Sequence, residues 1–259
     1  MSEGPSPATT AVALATRSWG DGDRRALLVH GLTSDGGTWW RLGPALADTG
    51  YTVTAVDLRG HGDSPRTPLY SLDDYAVDLD ALGQTPWDLA IGHSLGGAVV
   101  LAAASAGAFA GRIVVEDPWL VTFDLDRDHV ANITGNATEA EIMQQNPAWP
   151  DEDVAAKAAA IRKVDPNIGH GPFLRPWDLR PALATIAIPT LLMGADPKRG
   201  ALVSIEDGEA AATANPLVTY TLMSGFGHSI HREGWETYWN LVHTFAEWWG
   251  ITRTSDTAR

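Results

Sequence analysis

Leu89-Ala90-Ile91, then Gly92-His93-Ser94-Leu95-Gly96-Gly97, then an Ala- and Val-rich run to residue 107: this stretch decides the fold. A short apolar strand leads into a turn, and the turn leads into a helix with Ser94 at its apex. Glycines stand two residues to either side of the serine, where side chains would collide in so tight a bend. A serine hydroxyl carried there stands above the sheet, and the helix N-terminus behind it favours negative charge developing nearby.

Outward from that turn, strand-like and helix-like segments alternate. Apolar runs at 26–29, 53–56, 89–91, 113–115, 190–193 and 217–222 are short and almost continuously hydrophobic, the pattern of parallel strands covered on both faces. Helical patterns fall at 39–49, 71–82, 95–107, 205–214 and 235–249. Right-handed crossovers between such strands build an α/β, doubly wound, mostly parallel sheet. The rhythm breaks from Pro118 to about Ala184, where Pro and Trp recur and only 137–145 and 153–164 read as helices. That is too long for a simple loop, so 118–184 is expected to form a small helical cap over the strand ends. The core is then 1–117 with 185–259.

Composition sets outer limits. Of 259 residues, 44% are hydrophobic and 19% charged, as in ordinary globular chains. The formal charge of −14 disfavours nucleic acid and anionic membrane as partners and points to a small-molecule substrate. There is no cysteine, no H-E-x-x-H and no phosphate-cradling G-x-x-x-x-G-K, so neither a metal nor another cofactor is expected. MSEGPSPATT carries neither a basic segment nor an apolar core, which makes a secretory leader unexpected and a cytoplasmic location the fitting one.

Four segments carry a resemblance: HGLTSDGGTWW from His30, DLRGHGDSP from Asp57, GHSLGGA from Gly92 and GFGHSIHRE from Gly225. Together they resemble the α/β-hydrolase superfamily over nearly the whole chain. The resemblance implies that Ser94 is a nucleophile and His228 its base, in the order serine, acid, histidine. It also implies that the backbone N–H groups of Leu32 and Leu95 form an oxyanion hole, while His30 braces its loop.

The acid is open among three carboxylates. Glu116 and Asp117 follow the run at 113–115, and Asp196 follows the run at 190–193. The superfamily most often uses the later position, but here Asp196 departs from the usual spacing. Glu116-Asp117-Pro118 is similar to the arrangement in the zearalenone-cleaving lactonases. A carboxylate buried at a strand end needs a partner, which an imidazolium would supply. Glu116 is favoured on these grounds, Asp196 second, Asp117 third.

Eleven tryptophans are many for this length. Trp39, Trp40, Trp119 and Trp177 fall near the proposed site and are candidates for lining an apolar pocket. The reaction these residues imply is cleavage of an ester or lactone in a bulky, apolar small molecule. Amide, carbamate or C–C hydrolysis, acyl transfer, cofactor-free dioxygenation and non-catalytic ligand reception are the rival readings.

Overall fold

The computed structural model describes residues 10–83, 86–107, 109–122, 137–170 and 177–252. Its centre is a seven-stranded sheet in the order β1-β3-β2-β4-β5-β8-β9. The strands are β1 (Thr16–Trp19), β2 (Arg24–Val29), β3 (Tyr51–Val56), β4 (Leu89–His93), β5 (Ile113–Glu116), β8 (Thr190–Ala195) and β9 (Val218–Met223). All pairings are parallel except β1 with β3. β1 escapes the apolar pattern because it is an edge strand, bonded on one side and largely exposed, so TRSW needs no hydrophobic run.

Burial follows from the layering. Every residue of β4 and β5 is buried, with helices on both faces. One face packs α2 (Leu72–Asp80) and α3 (Leu95–Ser105), the other α1 (Leu42–Ala47) and α9 (Trp235–Thr252). The segment expected to be helical from residue 39 opens instead as a 3-10 turn at Gly36–Trp39, capped by the Asp35 carboxylate, before α1. Two glycines and two bulky indoles in succession favour that tighter turn over a regular helix. No described helix is long and apolar enough to cross a membrane.

Between β5 and β8 the chain is partly built into the main core, through Leu120, Val164, Ile168 and Leu183, and partly forms a layer of its own. It contains α4 (Glu139–Gln145), α5 (Asp151–Ile161) and a two-stranded ribbon of β6 (Val121–Thr122) with β7 (Trp177–Asp178). Residues 123–136 and 171–176 of this segment lie outside those described. α4 begins with a capping box between Thr138 and Glu141, and α5 carries three acids in its first turn, where the helix dipole favours them. Both helices bury their apolar faces in a small cluster of their own around Ile142, Val154 and Ile161.

Parallel register aligns the carboxyl ends. Val29 lies beside Gly92, His93 beside Glu116, and Glu116 beside Met193. The loops after β2, β4, β5, β8 and β9 therefore emerge on one edge, and every residue of the site comes from them or from the segment above.

Candidate active site

Ser94 sits at φ 54°, ψ −117°, between β4 and α3. That conformation is costly for an L-residue and persists only where the surroundings enforce it. The two flanking glycines show how. A Cβ on Gly92 would stand 2.4 Å from Gly96 O, and one on Gly96 would stand 2.2 Å from Val29 O. The bend is thus packed directly on the end of β2, whose following loop holds Leu32. The N–H groups of Leu32 and Leu95 make no hydrogen bond to protein among the described residues, which leaves both as available donors.

The loop after β2 is braced on two sides. Leu58 N donates to His30 Nε2 at 3.0 Å, so the proton is assigned to Nδ1, which lies 2.8 Å from Gly31 O. Burial pushes this imidazole below its ordinary value and keeps it neutral for both roles. From above, Lys157 of α5 donates to Thr33 Oγ1 (2.6 Å), Thr33 O (2.9 Å), Ser34 Oγ (3.2 Å) and Leu32 O (3.3 Å). Thr33 itself has a positive φ of 61°. Burial drives the Lys157 ammonium well below its ordinary value, with Arg232 adding to the effect.

His228 lies in the loop after β9, and its Nδ1 is 2.7 Å from Asp117 Oδ2. With Nδ1 donating, the Nε2 lone pair is left to accept a proton. Asp117 is fully buried and amply satisfied. Its carboxylate also accepts from Leu202 N (2.9 Å), Val203 N (3.1 Å) and Ala195 N (3.3 Å). His93, kept neutral by burial, donates from Nε2 to His228 O at 3.0 Å, and the two rings lie 4.7 Å apart. Ser94 and His228 line one cavity of about 990 Å³, without a hydrogen bond between them. Such contacts commonly tighten only when substrate binds.

Neither carboxylate favoured on sequence grounds reaches His228. Glu116, wholly buried at the end of β5, accepts from His231 N (2.9 Å) and pairs with His231 Nδ1 (2.8 Å). Successive side chains leave a strand on opposite faces, and at Asp117 the backbone turns to φ 38°. Glu116 therefore points under the sheet edge while Asp117 rises to the histidine loop. Asp196 is the cap of its own 3-10 turn, accepting from Lys198 N at 2.9 Å and Gly225 N at 2.8 Å. Those backbone bonds hold its carboxyl below the usual range.

The tryptophans divide differently from the expectation as well. Only Trp119 of the four candidates lines the cavity. Trp39 is core, 4.8 Å from the His231 ring; Trp40 donates to Asp153 Oδ1 at 3.2 Å; Trp177 packs edge-on against Trp119 and donates to its carbonyl at 2.9 Å. Trp149, Lys157 and Arg232 line the cavity in their place. The expected apolar pocket is thus a mixed one. Nothing local in the sequence marks these three, since each depends on how the layer between β5 and β8 lies over the strands.

The fold agrees with what the chain is similar to. Residues 26–241 match the model of the alpha/beta hydrolase family, and the chain belongs to that family. Methylesterase 18 of Arabidopsis thaliana is 40% identical over 83 residues, 30% of this chain and 32% of that protein. Lipase LipV of Mycobacterium tuberculosis is 33% identical over 146 residues, covering 51% of this chain and 54% of the lipase. The chain thus spans about a third and about half of these relatives. Over the whole fold, an esterase from Exiguobacterium antarcticum superposes with a TM-score of 0.75 at 17% identity, covering 90% of this chain and 95% of that one.

Proposed function

We propose that the protein is a serine hydrolase that cleaves a carboxylic ester or lactone through an acyl-enzyme, with Ser94 as nucleophile, His228 as base and Asp117 as the acid. The observation that carries this reading is the shared cavity: Ser94 and a His228 already held by Asp117 open onto it together. The relatives, a methylesterase and a lipase, support ester chemistry.

In the first half-reaction Ser94 Oγ attacks the carbonyl carbon while its proton passes to His228 Nε2. The carbonyl oxygen becomes an oxyanion and is held by Leu32 N–H and Leu95 N–H, an arrangement worth about 3 kcal/mol per donor. Collapse breaks the C–O bond to the alcohol, which leaves with the proton from His228. Water then attacks the acyl group, giving its proton to His228; the acid departs and Ser94 regains its hydroxyl. Asp117 stays ionised throughout and stabilises the imidazolium that forms twice.

Residues 118–184 act as the cap in this reading. The support is Lys157, which ties α5 to the Leu32 loop and so couples the cap to the oxyanion hole. A cavity of about 990 Å³ has room for a bulky substrate. Hydrolysis of para-nitrophenyl esters of graded acyl length, and of lactones, tests the proposal. Wild type should turn over at least one series, and Ser94→Ala should lose ~10⁴-fold or more in kcat. Undiminished turnover by Ser94→Ala would refute it.

A further inference from the structure

Arg232 is 3% exposed and lines the same cavity as Ser94, where the proposed chemistry gives it no role. It is held with care. Its Nε donates to His231 Nε2 at 3.1 Å and lies 3.6 Å from Asp153 Oδ1, and its guanidinium carbon stands 4.3 Å over the Trp149 ring. Behind His231 stands Glu116, and behind Asp153 stands Trp40, so a chain of buried groups grips one edge and one face of the guanidinium. Nη1 and Nη2 make no hydrogen bond among the described residues.

A buried guanidinium with an idle fork is expensive unless the fork meets acceptors. The carboxylates that compensate Arg232, Glu116 and Asp153, do not line the cavity. Among the described residues, the two acids that do are engaged elsewhere. Glu233 takes Arg199 Nη2 at 2.8 Å and Gly227 N at 2.9 Å, and Glu141 caps its own helix on Thr138. Lys157, a half-buried lysine of the wall, spends its donors on the Leu32 loop. In a protein of formal charge −14, the Arg232 fork is therefore a buried, cationic and planar donor pair left unfilled among the described residues of the cavity wall.

We infer that the substrate carries a carboxylate in addition to its scissile bond, and that Arg232 binds this carboxylate through its two terminal nitrogens. The inference rests on the hydrolase reading above and narrows its substrate from any carboxylic ester or lactone to a half-ester or lactone acid. Trp119, Trp149 and Ile142 supply the apolar wall for the carbon chain between the two groups. Parallel N–H donors match a carboxylate's two oxygens, which an ammonium does not do.

The test compares mono-para-nitrophenyl glutarate with para-nitrophenyl pentanoate, adding free glutarate as competitor and as a calorimetric ligand. Wild type should favour the glutarate half-ester in kcat/KM by about tenfold or more, and glutarate should compete. Arg232→Gln should erase that preference, lowering kcat/KM for the half-ester, mainly through KM, about tenfold more than for the pentanoate ester. Arg232→Lys should recover part of the preference, since the charge remains and the fork does not. A wild type indifferent to the carboxylate overturns the inference, and so does equal loss on both esters in Arg232→Gln. Should Arg232→Gln fail to fold, the wild-type preference and the glutarate competition decide alone. If neither ester is cleaved, the hydrolase reading fails separately, and calorimetry with glutarate decides the Arg232 site: saturable binding sustains it and none refutes it.

Discussion

Asp117 and His228 stand 111 positions apart in the chain and meet at 2.7 Å, while Glu116, one residue before Asp117, serves a different histidine. Two adjacent carboxylates thus anchor two neighbouring imidazoles, His228 in the cavity and His231 beneath it. Their roles should separate cleanly under substitution. Asp117→Asn should lower kcat by about 10⁴-fold, the scale seen when a triad acid can no longer fix the base's tautomer. Asp196→Asn, removing only a turn cap, should leave kcat within about threefold. Steady-state kinetics on one chromogenic ester checks both.

Glu116 makes the opposite prediction. Glu116→Ala strips His231 of its acceptor and leaves the Arg232 charge poorly compensated, so stability should fall by about 3 kcal/mol. Urea unfolding measures this, and fluorophosphonate labelling of the folded fraction should persist.

Much of the architecture was legible because burial on both faces writes itself into a parallel strand as an unbroken apolar run, as at Leu89–Ile91 and Ile113–Val115. β1 was not, since an edge strand with Thr16, Arg17 and Ser18 exposed carries no such run. That Ser94 stands at a strand-to-helix bend and that the His228 loop comes to it could be expected from glycine spacing and chain order. The carboxylate that meets His228 could not, because which of Glu116 and Asp117 does so turns on a positive φ at Asp117, and Asp tolerates that conformation without any neighbouring residue announcing it. Asp196 misled for a related reason: Asp before Pro is as good a turn cap as a catalytic acid. No local pattern singles out Lys157, which folding brings to a loop 125 positions away.

That link through Lys157 predicts a catalytic effect from a residue outside the proposed triad. Lys157→Met frees the carbonyls of Leu32 and Thr33 and loosens the oxyanion loop. A loss of about tenfold in kcat is expected, with KM changed less and the melting temperature held or raised, since an ammonium leaves a buried site. Kinetics and thermal unfolding of the same preparation separate the two effects.

Close packing of the bend on β2 makes Gly96 a sharp probe. Gly96→Ala would drive a Cβ to 2.2 Å from Val29 O and 2.5 Å from His30 O, displacing the oxyanion loop from the serine. Activity should drop by about 10²-fold or more even where soluble protein is obtained. Near-normal kcat would mean that the loop can yield.

Stability should also depend on pH through three buried imidazoles. Burial depresses His30, His61 and His93 below their ordinary value of 6.5. The unfolded chain takes up protons that these folded rings refuse, so unfolding gains as pH falls. The urea midpoint should hold above pH 6.5 and decline steadily between about 6.5 and 5, before ordinary carboxylates titrate. A flat midpoint across that window would contradict neutral, buried rings.

The central claim is that one hydroxyl, at the apex of the bend between β4 and α3, is the nucleophile. Intact mass after treatment with a fluorophosphonate, followed by peptide mapping, tests it most directly. A single adduct on Ser94, slowed greatly in His228→Ala and Asp117→Asn and absent in Ser94→Ala, is the predicted result. An adduct on another residue, or an inert wild-type protein, would contradict it.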